Sequence, residues 1–373
     1  MKPFENPIFV TRPLLADLAD VNKELHDIWE SQWLTNAGAK HQKLEEELKK
    51  VLKVPGISIF NNGEIALIVS IQSLRLSGEV ITTPFTFPGT PHVLAWNNIT
   101  PVFCDIDENT LTIDPQKIEG SITSKTTGIL GVHVYGMPCH IHEIQEIADL
   151  YGLRVVYDAA HAFGTEIDNV AIGNFGDISM FSFHATKLFH TVEGGALTFN
   201  APHLKRRIDL LKNFGIKNED EVVLPGINGK MNELQAAIGL INLQLIDNER
   251  QKRQKIVDTY TQNLAGIAGI NVFEIPANVR RSYQYFVIRI RDEFGRSRDE
   301  VYTEFKKYNV FTRKYFYPLC SDYSCYRHLP SSNPDNLPVA RKVVREVLCL
   351  PLYGNLKLDE AEKICDILQR LKK

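Results

Sequence analysis

Cysteine is scarce in this sequence and it is not clustered. The chain has 373 residues and six cysteines, and no two cysteines form a C-x-x-C pair. Without that spacing the sequence offers neither a zinc site nor a dense disulfide framework. We therefore expect no bound metal, and free thiols in the reducing environment of the cytoplasm. The cysteines are Cys104, Cys139, Cys320, Cys325, Cys349 and Cys365.

An excess of charge and a long apolar run are also missing. Lys plus Arg total 42 and Asp plus Glu total 45, so the formal net charge is -3. This balance gives no field that would attract nucleic acid or an acidic membrane. No stretch reaches the length of about 18 apolar residues that spans a bilayer, and the first residues do not resemble a secretion signal. We expect a cytoplasmic protein without nucleic-acid or membrane partners.

Short apolar runs alternate with amphipathic segments over much of the chain. In the segments between the runs, apolar residues recur at three- and four-residue intervals, as in helices. This alternation predicts an α/β fold with a mostly parallel central sheet and helices on both faces. The last two runs are close enough in sequence to form an antiparallel pair instead. The runs span residues 57–60, 79–84, 101–106, 128–135, 154–160, 179–184 and 195–200.

The pattern changes after residue 230. One long helical stretch, MNELQAAIGLINLQLIDNERQKRQKIVDTYTQNL, is too long for an ordinary helix within one lobe and is expected to bridge two. A strand at 283–290 and helices near 296–308, 338–348 and 357–372 follow. The predicted organisation is therefore a large α/β domain, residues 1–245, and a smaller C-terminal α+β domain, residues 246–373.

Lys187 is the first candidate for covalent chemistry. In MFSFHATKLFHTVEGGAL it follows an apolar strand and precedes a pair of glycines. A lysine that is partly desolvated among apolar neighbours loses proton affinity, and its neutral amine can form a Schiff base with an aldehyde. The alternative is an ordinary surface lysine at a strand end, which the apolar context disfavours.

In RVVYDAA, Asp158 ends a strand that looks buried, and its carboxylate needs a cationic partner there. A pyridinium nitrogen would serve, and Asp158 would keep that ring protonated so that it can accept electrons. Capping of the following turn is an equally good reading of this segment alone. His161 could bond a ring hydroxyl or satisfy a loop carbonyl.

A phosphate cradle is suggested at NNGEIALIVS, where Gly63 opens a helix whose free amides point at any anion there. The Glu64 carboxylate would repel phosphate unless it turns away. Ser182 can donate a hydroxyl to the same anion. Phe87 lies past a strand end in TPFTFPGT and could stack on a flat ring or simply pack.

Taken together and in order, eight segments resemble the DegT/DnrJ/EryC1/StrS family of sugar aminotransferases, which are fold type I pyridoxal-phosphate enzymes. The match covers nearly the whole chain. The segments are NNGEIAL, TTPFTF, PVFCDID, HVYGMPC, VVYDAAHAFG, FSFHATK, EGGA and PGINGKMNELQAAIG.

The resemblance implies a role for each catalytic candidate. Lys187 would bind pyridoxal 5'-phosphate covalently, and Asp158 would pair with the pyridine nitrogen. His161 would lie near the ring hydroxyl, and Phe87 would stack on the ring. Pyridoxamine 5'-phosphate would be the form that carries the amino group between the two substrates.

The resemblance also implies how the cofactor phosphate is held. Gly63, the backbone amide of Glu64, and Ser182 match the family's phosphate contacts. Asn228 of PGINGKM would reach the phosphate of the neighbouring subunit, which implies a homodimer with shared active sites. The sequence departs from the family at Glu64, where Thr or Ser is usual. It departs again at Ile227, Gly229 and Lys230, where Tyr, Tyr and Arg are commoner.

Within the family, HATK, DAAHAFG and RKYFYPL resemble the enzymes that aminate carbon 4 of dTDP-4-keto-6-deoxy-D-glucose for bacterial surface polysaccharide such as O-antigen. L-Glutamate would be the amino donor. In RKYFYPL, the side chains of Arg313, Lys314 and Tyr317 could approach the nucleotide sugar or remain solvated.

Other functions stay open within the same resemblance. A sugar 3-aminotransferase, or an enzyme for a UDP- or GDP-linked ketone, would share this machinery. A dehydratase of the same fold is disfavoured because the resemblance gives those enzymes a histidine where this chain has Lys187. A non-catalytic, ligand-sensing relative is disfavoured by the presence of both Lys187 and Asp158. No G-x-G-x-x-G follows an early strand, as a Rossmann dehydrogenase would require.

Overall fold

Eleven α-helices and seventeen β-strands make up the computed structural model, which describes residues 1–372. The helices are α1 (Leu18–Ser31), α2 (Ala39–Val51), α3 (Gly63–Ser73), α4 (Gly89–Trp96), α5 (Pro115–Ile118), α6 (Ile141–Tyr151), α7 (Pro202–Leu211), α8 (Glu233–Leu264), α9 (Arg298–Lys307), α10 (Pro338–Glu346) and α11 (Leu358–Leu371). The strands are β1 (Ile8–Phe9), β2 (Gly56–Phe60), β3 (Glu79–Thr82), β4 (Thr100–Phe103), β5 (Thr126–Val132), β6 (Arg154–Asp158), β7 (Glu166–Ile167), β8 (Val170–Ala171), β9 (Ile178–Ser182), β10 (Gly195–Phe199), β11 (Ile216–Asn218), β12 (Glu221–Val222), β13 (Ile270–Val272), β14 (Val279–Arg280), β15 (Phe286–Ile290), β16 (Val310–Phe311) and β17 (Val347–Leu350).

The central sheet has seven strands in the order β2-β10-β9-β6-β5-β3-β4. These are the seven predicted runs. All neighbours pair in parallel except β10, which is antiparallel to β2 and β9. A parallel neighbour needs a long crossover, usually a helix. The segment between β9 and β10 contains no helix, so β10 turns back beside β9, as the antiparallel alternative expected.

Alternate residues of the strands enter two cores, one on each face of this sheet. In β5 and β6, for example, Ile129 and Val155 join the core with α2, α6 and the first half of α8. Leu130 and Val156 join the core with α3, α4 and α7 on the opposite face. The side-chain period of two along a strand produces this division, and it confirms helices on both faces of a mostly parallel sheet.

The long helix α8 bridges the two halves of the chain. Its first half packs in the core of the large sheet through Ala236 and Leu240. Its second half packs through Val257 and Tyr260 in a separate core with the smaller antiparallel sheet β13-β15-β17. The predicted domain boundary after residue 245 falls inside this helix and stays a prediction.

Two further observations concern the first residues and the helices as a group. Strand β1 pairs in parallel with β16, so the start of the chain lies beside the C-terminal half. None of the helices described for residues 1–372 combines the length and the apolar character needed to cross a membrane.

Candidate active site

A cavity of about 280 Å³ lies at the carboxyl edge of the large sheet. Residues that follow β2, β3, β6 and β9 line it, because parallel strands deliver the ends of successive connections to one edge. The structure brings together seven residues singled out from the sequence: Gly63, Glu64, Phe87, Asp158, His161, Ser182 and Lys187.

Lys187 lies in the connection between β9 and β10, which buried aromatic residues hold in place. Phe183 and Phe189 pack edge to face with their ring centroids 4.8 Å apart, and both are fully buried. The Lys187 amide donates to the carbonyl of His184 at 2.8 Å. The residue is half-buried and lines the cavity. Burial lowers the pKa of its amine to about 8, while Asp158 acts in the opposite direction.

Asp158 is the last residue of β6, and its side chain is 7% exposed. Two neutral groups donate to its carboxylate: the Thr90 hydroxyl at 2.8 Å and the Ala160 amide at 3.0 Å. Burial raises the pKa of this carboxyl, and these two donors together with Lys187 counteract the rise. Asp158 therefore presents a partly satisfied buried carboxyl group to the cavity, where a cation would stabilise its charge.

His161 is a buried neutral imidazole. Burial holds its pKa well below the ordinary value. Its Nδ1 accepts a hydrogen bond from the Tyr135 amide at 3.2 Å, so the neutral ring carries its proton on Nε2. The ring lies parallel to Phe316 at 5.7 Å and edge-on to Tyr285 at 5.1 Å. Aromatic packing fixes its orientation at the cavity wall.

The start of α3 packs against the end of β9 without room for a side chain. A Cβ added to Gly63 would lie 3.0 Å from the Ser182 Cβ, and one on Gly195 would lie 2.6 Å from the Gly63 Cα. Asn62 caps the helix by accepting from the Glu64 amide at 2.8 Å. The remaining free amides of this first turn and the Ser182 hydroxyl are the groups available to an anion there.

Four predicted binding residues lie outside the cavity lining. Lys314 pairs with Asp299 at 3.1 Å, and Tyr317 is exposed beside it. Arg313 is also exposed and bonds Cys349 through its main chain. Asn228 is exposed in the segment 213–230, where its side chain accepts from Lys230 at 2.9 Å. Their roles in binding stay predictions.

Sequence reasoning missed several residues that line the cavity. Tyr315 and Phe316 do so, whereas the residues chosen from the same segment were their neighbours. Thr90 was missed although the hydroxyl residues of TPFTFPGT gave a signal. In the structure its hydroxyl bonds that of Thr86, four residues earlier, at 2.8 Å. Tyr285 had no local signal, because it lies far along the chain, just before β15 of the smaller sheet.

Comparison with known proteins agrees with this geometry. Residues 17–369 match the DegT/DnrJ/EryC1/StrS aminotransferase family. The chain is 47% identical to a dTDP-4-amino-4,6-dideoxy-D-glucose transaminase of Escherichia coli, over 98% of each chain. It is 44% identical to the transaminase of that name from Shigella dysenteriae, over 99% of this chain and 100% of the relative. The crystal structure of DesI with its TDP-sugar product superposes with a TM-score of 0.94 at 33% identity, over 99% of this chain and 94% of that one.

Proposed function

Because the chain belongs to the DegT/DnrJ/EryC1/StrS aminotransferase family, we propose that it transfers the amino group of L-glutamate to carbon 4 of dTDP-4-keto-6-deoxy-D-glucose. The product is dTDP-4-amino-4,6-dideoxy-D-glucose. One observation carries the proposal: the amine of Lys187, with its lowered pKa, shares a cavity with the buried Asp158 in a chain 47% identical to a transaminase named for that sugar.

The enzyme is pyridoxal-phosphate dependent, and its cavity fits that cofactor. The buried Asp158 carboxyl, bonded so far only by neutral groups, suits a protonated ring nitrogen. Gly63 and Ser182 approach each other closely and both line the cavity, so the start of α3 and the Ser182 hydroxyl can donate to one phosphate there. When bound, the cofactor supplies an aldehyde that exchanges amines and a ring that stabilises negative charge at the reacting carbon.

Lys187 is the residue proposed to bind the cofactor covalently and to move protons. With a pKa of about 8, a useful fraction of its amine is neutral near neutral pH, and a group with that pKa can both accept and return a proton. We assign it as base towards the alpha carbon of glutamate, and as acid when the proton is returned. The converse transfers would complete amination of the sugar.

Asp158 and His161 are assigned to the cofactor ring. Asp158 would stabilise a positive charge on the ring nitrogen, because its buried carboxylate accepts hydrogen bonds from neutral groups and makes no ion pair within bonding distance among the described residues. His161, with Nδ1 occupied by the Tyr135 amide, would donate from Nε2 towards the ring hydroxyl. Phe87, which lines the cavity and is 59% exposed, would stack on the ring face.

Phosphate binding is assigned to the start of α3, with Gly63, Ser182 and the Glu64 amide, which would exchange its bond to the Asn62 side chain for one to the phosphate. Asn228 would complete the site from a second subunit, so we propose a homodimer with shared active sites. Exposed apolar side chains in the segment that carries Asn228 support a partner there. They are Phe214, Ile216, Val222, Val223 and Ile227.

The nucleotide sugar is assigned to the side of the cavity formed by Tyr315 and Phe316. Arg313, Lys314 and Tyr317 lie next to these residues in the chain, and two of them carry positive charge suited to a diphosphate. We propose a cytoplasmic reaction, because all six cysteines lie within the described residues and are unpaired. The proposed product would serve bacterial O-antigen and lipopolysaccharide synthesis.

Product identification tests the proposal directly. The purified protein, loaded with pyridoxal phosphate, is incubated with L-glutamate and dTDP-4-keto-6-deoxy-D-glucose, and the product is analysed by NMR and mass spectrometry. We expect 2-oxoglutarate and an amine on carbon 4 in equal amounts. A panel of 3-keto, UDP-linked and GDP-linked sugars serves as control. Amination at carbon 3, preference for another nucleotide, or no turnover with any ketone would contradict the proposal.

A further inference from the structure

Gln284 lies two residues before β15 of the smaller sheet and is 2% exposed. Its carboxamide contacts the main chain on both sides of Lys187. The side-chain oxygen accepts from the Leu188 amide at 2.7 Å, and the side-chain nitrogen donates to the Thr186 carbonyl at 3.0 Å. The two bonds therefore enclose one residue, and that residue is the candidate catalytic lysine.

A carboxamide is well suited to this arrangement. The carbonyl before a residue and the amide after it are the groups that an adjacent strand bonds in an antiparallel ladder. Glutamine offers an acceptor and a donor side by side without charge, so it can take the place of such a strand. Both bonds restrict the backbone rotations at Lys187 and leave its side chain free to line the cavity.

Two arginines of helix α8 hold the segment that carries Gln284. We call this segment, residues 281–285, the strap. Arg250 donates to the carbonyl of Arg281 at 2.5 Å, and Arg253 donates to the carbonyl of Tyr283 at 3.3 Å. The next residue, Tyr285, packs edge-on against His161. The strap thus contacts the two chain neighbours of Lys187 through the Gln284 carboxamide, and His161 through the Tyr285 ring.

We infer that Gln284 is a positioning residue, which fixes the backbone of Lys187 from both sides so that the amine enters the cavity in one orientation. The inference rests on the proposed role of Lys187. It goes beyond that role because it places the control of the lysine backbone in the segment that leads into the smaller sheet, on a residue that is not among those lining the cavity. A rigid scaffold of this kind matters because small displacements of a reacting group reduce turnover strongly.

The first test compares Gln284→Met with Asn242→Leu in the loaded full-length enzyme. Asn242 is a matched control, since it is 1% exposed and its carboxamide donates to the carbonyl of His190 in the same connection at 2.9 Å. For Gln284→Met we expect kcat to fall about 10²-fold, with KM for the nucleotide sugar changed less than about threefold. Hydrogen–deuterium exchange at the Leu188 amide should accelerate about tenfold. Asn242→Leu should change neither kcat nor that exchange.

A second variant, Gln284→Glu, separates the two bonds. Its carboxylate can still accept from the Leu188 amide but cannot donate to the Thr186 carbonyl. We expect slow exchange at Leu188 to persist while kcat falls, and kcat relative to wild type to recover as acid pH protonates the carboxyl and restores the donor.

The inference is overturned if Gln284→Met behaves like Asn242→Leu in both kcat and Leu188 exchange, or if Gln284→Glu keeps wild-type kcat throughout the pH range. Failure of the proposed function would look different. Wild-type enzyme would then not aminate the sugar, whereas the exchange difference at Leu188 would remain measurable.

Discussion

Two regions of this molecule bury side chains of opposite charge, and the two regions differ in how those charges are hydrogen-bonded. In the helix α8, Glu249 and Arg253 are 4% and 1% exposed and bond directly at 2.6 Å. Glu249 also accepts from the Gly354 amide at 2.9 Å. At the cavity, the hydrogen bonds to the Asp158 carboxylate come from Thr90 and Ala160, both neutral, and Lys187 opens onto free space.

The difference separates structural charges from chemical ones. A buried pair with its remaining atoms satisfied holds elements together, and removing one member leaves an uncompensated charge. Charges that share a cavity without mutual bonding keep perturbed proton affinities and remain available to a ligand. Mutations in the two regions should therefore affect different properties, activity at the cavity and stability at α8.

The largest effect is expected at the cavity. Lys187→Ala should lower kcat by about 10⁴-fold, because both the covalent attachment and the proton transfers are lost, while the free energy of unfolding should not fall. Steady-state assays with glutamate and the ketosugar, together with urea denaturation, measure both. The exposed Lys252→Ala in α8 is the control, and near-normal turnover by the Lys187 variant would contradict the assignment.

The opposite outcome is expected in α8. Glu249→Gln should lower the free energy of unfolding by about 3 kcal/mol, since Arg253 then loses its buried partner, and kcat per folded molecule should stay within about twofold. Urea denaturation checks the stability, with Asp258→Asn on the exposed face of the same helix as reference. If Glu249→Gln instead abolished turnover at full stability, the contrast between the two regions would fail.

The pH dependence of stability sharpens the comparison. Burial lowers the pKa of Lys187 from 10.5 to about 8, so between these values the folded protein binds fewer protons than the unfolded chain. Stability due to this group therefore rises with pH across that window, and below about pH 8 burial of the protonated amine destabilises the fold. Relative to Lys187→Met, cofactor-free wild type should gain stability as pH increases from 8 to 10.5. A pH-independent difference in urea denaturation would show that the amine titrates normally.

The smallest effect is expected at the phosphate cradle. Ser182→Ala removes one hydroxyl donor and should weaken binding of pyridoxal phosphate about tenfold, with turnover unchanged once the cofactor saturates the enzyme. Equilibrium dialysis measures the affinity. Ser179→Ala in the same strand, whose hydroxyl bonds the carbonyl of Phe175 at 3.1 Å, is the control. Equal affinities for the two variants would remove Ser182 from the cradle.

Much of the cavity could be predicted because its residues follow strands that are themselves recognisable. Asp158 and Lys187 come after buried apolar runs, and Gly63 opens a helix after another, so one rule about parallel sheets places them together. The rule does not extend to RKYFYPL. There the side chains of Tyr315 and Phe316 line the cavity and those of Arg313 and Lys314 do not. In an irregular segment the direction of each side chain depends on the path of the backbone, and that path follows no repeating pattern that the sequence would reveal.

The positions of the strands along the chain, the antiparallel alternative for β10 and the candidacy of Lys187 could all be derived from local patterns of the amino acids, since hydrophobic periodicity and strand ends act over a few residues. The spatial order of the strands in the sheet could not. Nor could the partners that tune and hold the chemistry of Lys187. Thr90 donates a hydrogen bond to Asp158, which is 68 positions away in the sequence. Gln284 bonds the two residues beside Lys187, which are 96 and 98 positions away. Contacts of that kind arise only when separate elements pack, because the geometry that joins a donor to its acceptor is set by the whole fold.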